Sequence, residues 1–403
     1  MENQQEMNSE LLPELHPELN PIRELLQNQK AKQAESDLKS ILKAEPDNVP
    51  ALRLLAVAYK NQKKLDKFLK TLKKTYECSQ DISDFELYVF ELLKSKAFSE
   101  ATVLKQKAMT SPDYKNQLLK LIRDENVIAV NNHNFYLSYT LNEIKKLLDN
   151  QAAKLGPLSD EQKARIRWFN DNLFNTKAYQ SELKSFLHRP SYIFYPGLEQ
   201  APYTELESVI KVDNYQDALE SIRKEALKLL NSNEVEPYIS QTATPPKELL
   251  GLKGSLNWSS LTILEGGQLK LAEGNALVDL VNDLFDVADC KPLAPEMMLS
   301  VLQPGTHIAP HHGLTNLKQT LHIPITIPEG NVKIKVCGME KEWQLDKPLV
   351  FDDSFLHEAW NKSNEARVVL IVDIWHPDLT EQERVFLSMA MPVLDQWHKA
   401  TQL

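Results

Sequence analysis

The spacing of apolar residues changes once along this chain, near His188-Arg189-Pro190. Before that point it is helical. Ala34, Leu38 and Ile41 recur on one face, and Pro46-Asp47-Asn48 breaks the run. Leu52, Leu55, Ala56 and Tyr59 follow, then Phe68 and Leu72. The same spacing continues through Leu118-Leu119, Leu147-Leu148, Ile166, Trp168-Phe169 and Leu183, interrupted at Gly156-Pro157. Ser159 with Gln162 three residues later predicts a helix-opening capping box. Beyond residue 188 the runs turn β-branched and aromatic: Tyr192 to Tyr195, Leu261 to Leu264, Met298 to Leu302, Leu321 to Ile327, Val332 to Val336 and Val368 to Trp375. Gly, Pro, Asn and Asp separate them, as expected of short strands. Two helices are predicted among them, Tyr215 to Leu230 and Asn275 to Asp289. A last helix is opened by Thr380 with Glu383 at the capping-box position.

These patterns predict an α+β multidomain chain. Residues 1–20, rich in Glu, Asn and Pro, are expected to be disordered. Residues 21–187 form an all-α helical-repeat domain. Residues 188–403 form a double-stranded β-helix (jelly-roll, cupin-like) with a C-terminal helix. The helical half resembles tetratricopeptide repeats, whose period is about 34 residues. Taking Pro46 as a repeat's final proline puts Ala34, Leu38, Leu55, Ala56 and Tyr59 at repeat-like positions. Phe85, Tyr88, Val89, Leu92, Ala101 and Ala108 make a looser second unit, with Pro112 near its break. A generic helical bundle is the alternative. Stacked helix pairs would offer a concave surface to a protein or peptide, the expected partner.

Composition narrows the function classes. Lys and Arg number 46 against 56 Asp and Glu, a net charge of −10, which disfavours nucleic acid as a partner. Cys78, Cys290 and Cys337 are scattered, which points to a reducing compartment. No run of eighteen apolar residues and no apolar leader stretch are present, so no membrane span and a cytoplasmic location are expected.

Six of the ten histidines fall within residues 303–376. His311 lies in Pro310-His311-His312-Gly313, where proline and glycine shape the backbone around a ligand. His357 follows Asp352-Asp353 at a second strand end, and Arg367 comes ten residues later. Neutral imidazoles on two strands beside an arginine fit an open iron(II) site with an anchor for an organic acid. A two-histidine set is a poor zinc site. His312 is the rival to His311 and would point to the opposite face of an extended segment. A facial triad would carry Asp or Glu two residues after His311, where this chain has Gly313. Asp352 and Asp353 could bind metal or hydrogen-bond a histidine. An inward Arg367 on so apolar a strand needs an anionic partner, such as the distal carboxylate of a 2-oxo acid. Ser300 could donate to the same carboxylate. His322 on the next strand is either part of that site or a hydrogen-bonded core histidine. Phe355 and Trp360 are candidate walls, and Asp373 and His376 read as structural.

The motifs resemble those of the aspartyl/asparaginyl β-hydroxylase family. The resemblance runs through Arg189-Pro190-Ser191-Tyr192, Asn257-Trp258, Pro304-Gly305-Thr306-His307, Pro310-His311-His312-Gly313, Phe351-Asp352-Asp353-Ser354-Phe355, Arg367 and Val372-Asp373-Ile374-Trp375-His376-Pro377. It implies iron(II), 2-oxoglutarate and dioxygen. His311 and His357 would be the iron ligands, and Ser300, His322 and Arg367 would hold 2-oxoglutarate. It also makes Gly313 a family trait. Animal members carry two arginines toward an acidic substrate where this chain has Lys318 and Thr320, the candidate substrate contacts. The implied reaction is β-hydroxylation of an Asp/Asn-type residue in a protein or peptide. Alternatives are a free amino acid or a lipid-linked acyl chain as substrate, halogenation at the position left open by Gly313, or a non-catalytic repeat scaffold.

Overall fold

The computed structural model describes residues 17–402. The predicted disorder of residues 1–16 lies outside these. Pro17–Leu19 form a 3₁₀ turn and Asn20 starts a helix. Contacts divide the chain into two compact units. One reaches Glu143 and resumes at Trp397; the other is Ile144–Gln396.

The first unit is a ladder of helices. Ala31–Ala44, Leu65–Ser79 and Phe98–Ala108 alternate with Val49–Asn61, Ile82–Lys94 and Pro112–Arg123. Asn48, Asp81 and Ser111 cap the second set, accepting the N–H groups of Ala51, Ser83 and Tyr114. The tight turns use a left-handed residue each time: Gln29 (φ 60°), Lys63 (57°), Lys96 (66°) and Glu125 (56°). The capping side chains and these turns recur with the repeat, so helix pairing is written into local chemistry. Arg53 bridges to the neighbouring repeat through both oxygens of Asp84, at 3.0 and 2.7 Å.

The second unit includes the helices Asp160–Asp171, carrying the predicted Ser159/Gln162 box, and Thr176–Gln180. Its strands are β1 (Tyr203–Thr204), β2 (Glu236–Pro237), β3 (Trp258–Glu265), β4 (Gln268–Leu269), β5 (Met297–Leu302) and β6 (Thr306–His311). They continue with β7 (Lys318–Thr326), β8 (Val332–Val336), β9 (Met339–Glu342), β10 (Leu349–Phe351), β11 (His357–Asn361) and β12 (Arg367–Trp375). One sheet runs β1-β10-β7-β12-β5-β3-β2, with β4 on β3; the other runs β6-β11-β8-β9. Two antiparallel sheets built this way form the expected double-stranded β-helix.

The large sheet is buried on both faces. Outside, Leu299, Leu321, Ile323, Leu370 and Val372 pack with Leu219 and Ile222 of helix Gln216–Ser232 and with Leu277 and Val281 of helix Asn275–Leu284. Inside, Leu302 and Val369 pack with Ile308, Ile334 and Phe351. Double burial explains why β5, β7 and β12 read as continuous apolar runs. Polar residues break those runs at alternate positions, Lys318, Thr320 and His322 on β7, and they share one face.

Two predicted elements differ. Tyr192 to Tyr195 form no strand. Ile193 makes one isolated bridge to Thr315, and the Asn316 side chain satisfies Tyr195 instead, accepting its N–H and donating to its carbonyl at 2.8 Å each. The predicted helix to Asp289 ends at Leu284, because Phe285 and Val287 turn to bridge Ile210 and Ile374.

Candidate active site

His311 ends β6 and His357 begins β11, and the two are direct cross-strand partners. Their ring centroids are 4.1 Å apart. Each ring donates Nδ1–H to a backbone carbonyl two residues earlier, His311 to Ala309 and His357 to Phe355, both at 2.9 Å. A carbonyl only accepts, so each neutral ring carries its proton on Nδ1 and leaves the Nε2 lone pair free. Burial keeps both rings neutral, lowering the pKa of His311 and holding that of His357 down to about 4. Two oriented, neutral Nε2 donors suit a divalent metal. Among the described residues no group of three or more His, Cys, Asp or Glu side chains is arranged to hold a metal. His312 also lines the cavity but turns Nδ1 to the Ser354 carbonyl at 3.1 Å.

The pair opens into a cavity of about 390 Å³. Arg367 reaches it from β12, only 2% exposed. No salt bridge to Arg367 is present among the described residues, and its Nε has no hydrogen-bond partner. Burial alone pushes its pKa down to about 9. Its guanidinium lies 5.0 Å over the Trp343 ring. Trp343 Nε1–H in turn donates to His322 Nδ1 at 3.2 Å. An indole only donates, so neutral His322 carries its proton on Nε2 and can donate from there. Ser300 Oγ accepts from Trp258 Nε1–H at 3.2 Å, which leaves the hydroxyl proton free to donate. Ser300, His322 and Arg367 are therefore three donors lining one cavity, with no acceptor of their own to satisfy the arginine.

Asp352 and Asp353 have separate roles. Asp352 is 1% exposed and accepts the Ser354 N–H at 2.9 Å, which shapes the turn before β11. Asp353 lines the cavity. A Cβ on Gly313 would lie 2.4 Å from its Cγ. Burial opposes the charge of Asp353 and the Lys318 ammonium outweighs it, so its pKa is lowered.

Lys318 lies between two carboxylates, 2.7 Å from Asp373 Oδ1 and 3.1 Å from Asp353 Oδ2. Thr320 lines the same cavity, 5% exposed. Its hydroxyl is near enough to Asp353 to favour that group's charged form, yet makes no hydrogen bond of normal geometry. Asp373, read from sequence as structural, is thus a cavity residue. His376 is structural, its Nε2 3.1 Å from the Glu199 carbonyl. Phe355 and Trp360 do not line the cavity. Phe355 stacks on His188 at 4.2 Å, and Trp360 donates to Asn331 at 2.7 Å. Phe351, Ile308, Ile334 and Ala359 form the wall instead. Sequence reasoning missed Trp343, Tyr238 and Glu296. Trp343 follows a strand of exposed residues, and nothing in its local pattern marks it.

Residues 216–377 match the family model described as aspartyl/asparaginyl beta-hydroxylase. That match lies within the second unit. The chain is similar to the aspartyl/asparaginyl beta-hydroxylase of Homo sapiens, 35% identical over 143 residues, covering 35% of this chain and 18% of that protein. It is also similar to the ornithine lipid ester-linked acyl 2-hydroxylase of Rhizobium tropici, 43% identical over 82 residues, 20% of this chain and 29% of that protein. The alignments therefore span less than a third of either relative. A solved Pseudomonas putida prolyl-4-hydroxylase is 13% identical and covers 44% of this chain and 90% of that one, with a TM-score of 0.25. Ahead of the segment matched by the first model, residues 25–82 match the tetratricopeptide repeat model. Among the described residues no helix is long and apolar enough to cross a membrane.

Proposed function

We propose that the chain is an iron(II)- and 2-oxoglutarate-dependent hydroxylase that β-hydroxylates an Asp/Asn-type residue in a protein or peptide. The observation that carries this reading is Arg367: a guanidinium buried without an anion, in the same cavity as two neutral histidines with free Nε2 atoms. An uncompensated buried charge is costly, and a ligand carboxylate would remove that cost.

His311 and His357 would hold the iron through Nε2. Arg367, the His322 Nε2–H and the Ser300 hydroxyl would hold the far carboxylate of 2-oxoglutarate. When bound, iron(II), 2-oxoglutarate and dioxygen supply the oxidising power that replaces a C–H hydrogen with hydroxyl, yielding succinate and carbon dioxide. The remaining work belongs to the chain. Trp258 orients Ser300, and Trp343 fixes the His322 tautomer while stacking on Arg367. Ile308, Ile334, Phe351 and Ala359 keep water from the wall beside the histidines. The tetratricopeptide-type helices supply a surface on which a peptide could dock.

Anaerobic titration of the full chain with iron(II) and 2-oxoglutarate should give a visible charge-transfer absorption, and air should then convert 2-oxoglutarate to succinate. Absence of both signals would reject this reading. The similarity to an acyl 2-hydroxylase favours a second substrate class, lipid-linked acyl chains. Mass spectrometry of products from peptides, free amino acids and acyl lipids separates the two.

A further inference from the structure

The cavity is electrically lopsided along β12. Arg367 opens that strand, and Asp373 lies six residues on, on the same face. At about 3.3 Å per residue their backbones are roughly 20 Å apart. The Arg367 end collects donors. The other end holds Lys318, Asp353, Asp373 and Glu296, one ammonium among three carboxyl groups. The Lys318 charge is matched on the spot by Asp373 and Asp353. Glu296 belongs to the same cluster: its N–H donates to Asp373 Oδ2 at 2.9 Å, and its Oε1 accepts from the Gly266 N–H at 2.8 Å. The Thr320 hydroxyl faces this end from β7, buried and without a hydrogen-bond partner. Leu293, Met298 and Ile371 supply an apolar wall.

We infer, resting on the hydroxylase reading above, that the substrate group entering this end carries no negative charge and presents N–H donors, as a carboxamide or an ammonium on a short aliphatic stem. A carboxylate would meet three carboxyl groups and a lysine already paired, and position 320 offers it only a hydroxyl. An N–H donor instead finds acceptors in Asp373, Glu296 and Thr320, and its stem finds Leu293, Met298 and Ile371. Within an Asp/Asn-type substrate class, this cavity selects the amide over the acid.

The test reads binding, not turnover. The N-acetyl amides of aspartate, asparagine and ornithine are titrated into the full chain while the indole N–H resonances of Trp258 and Trp343 are followed, since both rings line the cavity. Saturable shifts are expected with the asparagine or ornithine derivative, with the aspartate derivative at least tenfold weaker. Glu296→Gln keeps an acceptor for the Gly266 N–H and should cost the ornithine derivative about tenfold, the loss of one charge-assisted bond. An aspartate derivative that binds as tightly as the better nitrogen-bearing probe overturns the inference. So does a pair of nitrogen-bearing probes that give neither indole shifts nor saturable binding heats by calorimetry. A chain with the predicted preference but no 2-oxoglutarate turnover loses only the hydroxylase reading. One that turns over 2-oxoglutarate but prefers aspartate loses only this inference.

Discussion

The carboxylate of Asp353 fills the space into which a side chain on Gly313 would project; a Cβ there would lie 2.4 Å from the Asp353 Cγ and Oδ1. The two positions compete for one volume, so the bare glycine is required by its neighbour. Gly313→Asp should therefore fail to build a facial triad. The expected result is a lower melting temperature and weaker manganese(II) binding than in the parent chain, by thermal unfolding and calorimetry. A variant that bound the metal more tightly would show that Asp353 can move aside.

Arg367 lies in the opposite situation, a charge beside the Trp343 ring with open space and no anionic partner among the described residues. Arg367→Met should weaken 2-oxoglutarate binding by about a hundredfold or more, the loss of two charge-assisted hydrogen bonds. The ligand-free variant should melt no lower than the parent, because an unpaired buried cation gives way to an apolar side chain. Calorimetry and thermal unfolding on the same samples check both halves.

Metal binding should survive acidification further than free imidazole would. His357 is held down to about 4 by burial and the neighbouring His311. Manganese(II) binding should persist as pH falls past the ordinary histidine value of about 6.5 and disappear on approach to 4. Stability carries the matching sign. The unfolded chain takes up this proton first, so metal-free stability should fall as pH drops through that window. Isothermal titration at stepped pH, with His357→Ala as the non-binding control, measures it.

Glu296 shows the reverse dependence. Burial raises its pKa to about 7 from an ordinary 4.5. Above 7 the folded chain must hold a partly buried charge that the unfolded chain holds in water. Stability from this group is therefore lost as pH rises from 4.5 through 7. Glu296→Gln should raise the melting temperature at pH 8 and leave it unchanged near pH 4.5. Equal effects at both values would assign the gain to packing.

The helical unit has an untapped reserve of stability. Lys63 and Lys96 hold left-handed backbones at tight turns where a Cβ is unfavourable. Lys63→Gly should stabilise that unit by about 1 kcal/mol, visible as a higher urea midpoint, whereas Lys63→Ala should not.

Much of this molecule was legible in its sequence. Helical spacing around Leu38 and Leu55 and the strands from Met298 to Trp375 emerged where predicted, because one-sided and two-sided burial leave different periodicities. The motifs around His311 and His357 marked a pair that the fold makes cross-strand partners. The His322 tautomer and the fate of Lys318 could not be read. They depend on Trp343 and on Asp353 and Asp373, which reach the cavity from three separate segments and form no local pattern. Tyr192 to Tyr195 carried a strand composition, and only the distant Asn316 side chain made a partner strand unnecessary.

If His311 and His357 hold the proposed metal, their pairing would give it a second role. The residues are 46 apart in sequence, yet adjacent across β6 and β11. A shift of β11 by one residue would offer Leu356 or Glu358 in place of the imidazole. An ion that needed both nitrogens would therefore proofread strand alignment, rewarding only the register in which the small sheet has closed correctly.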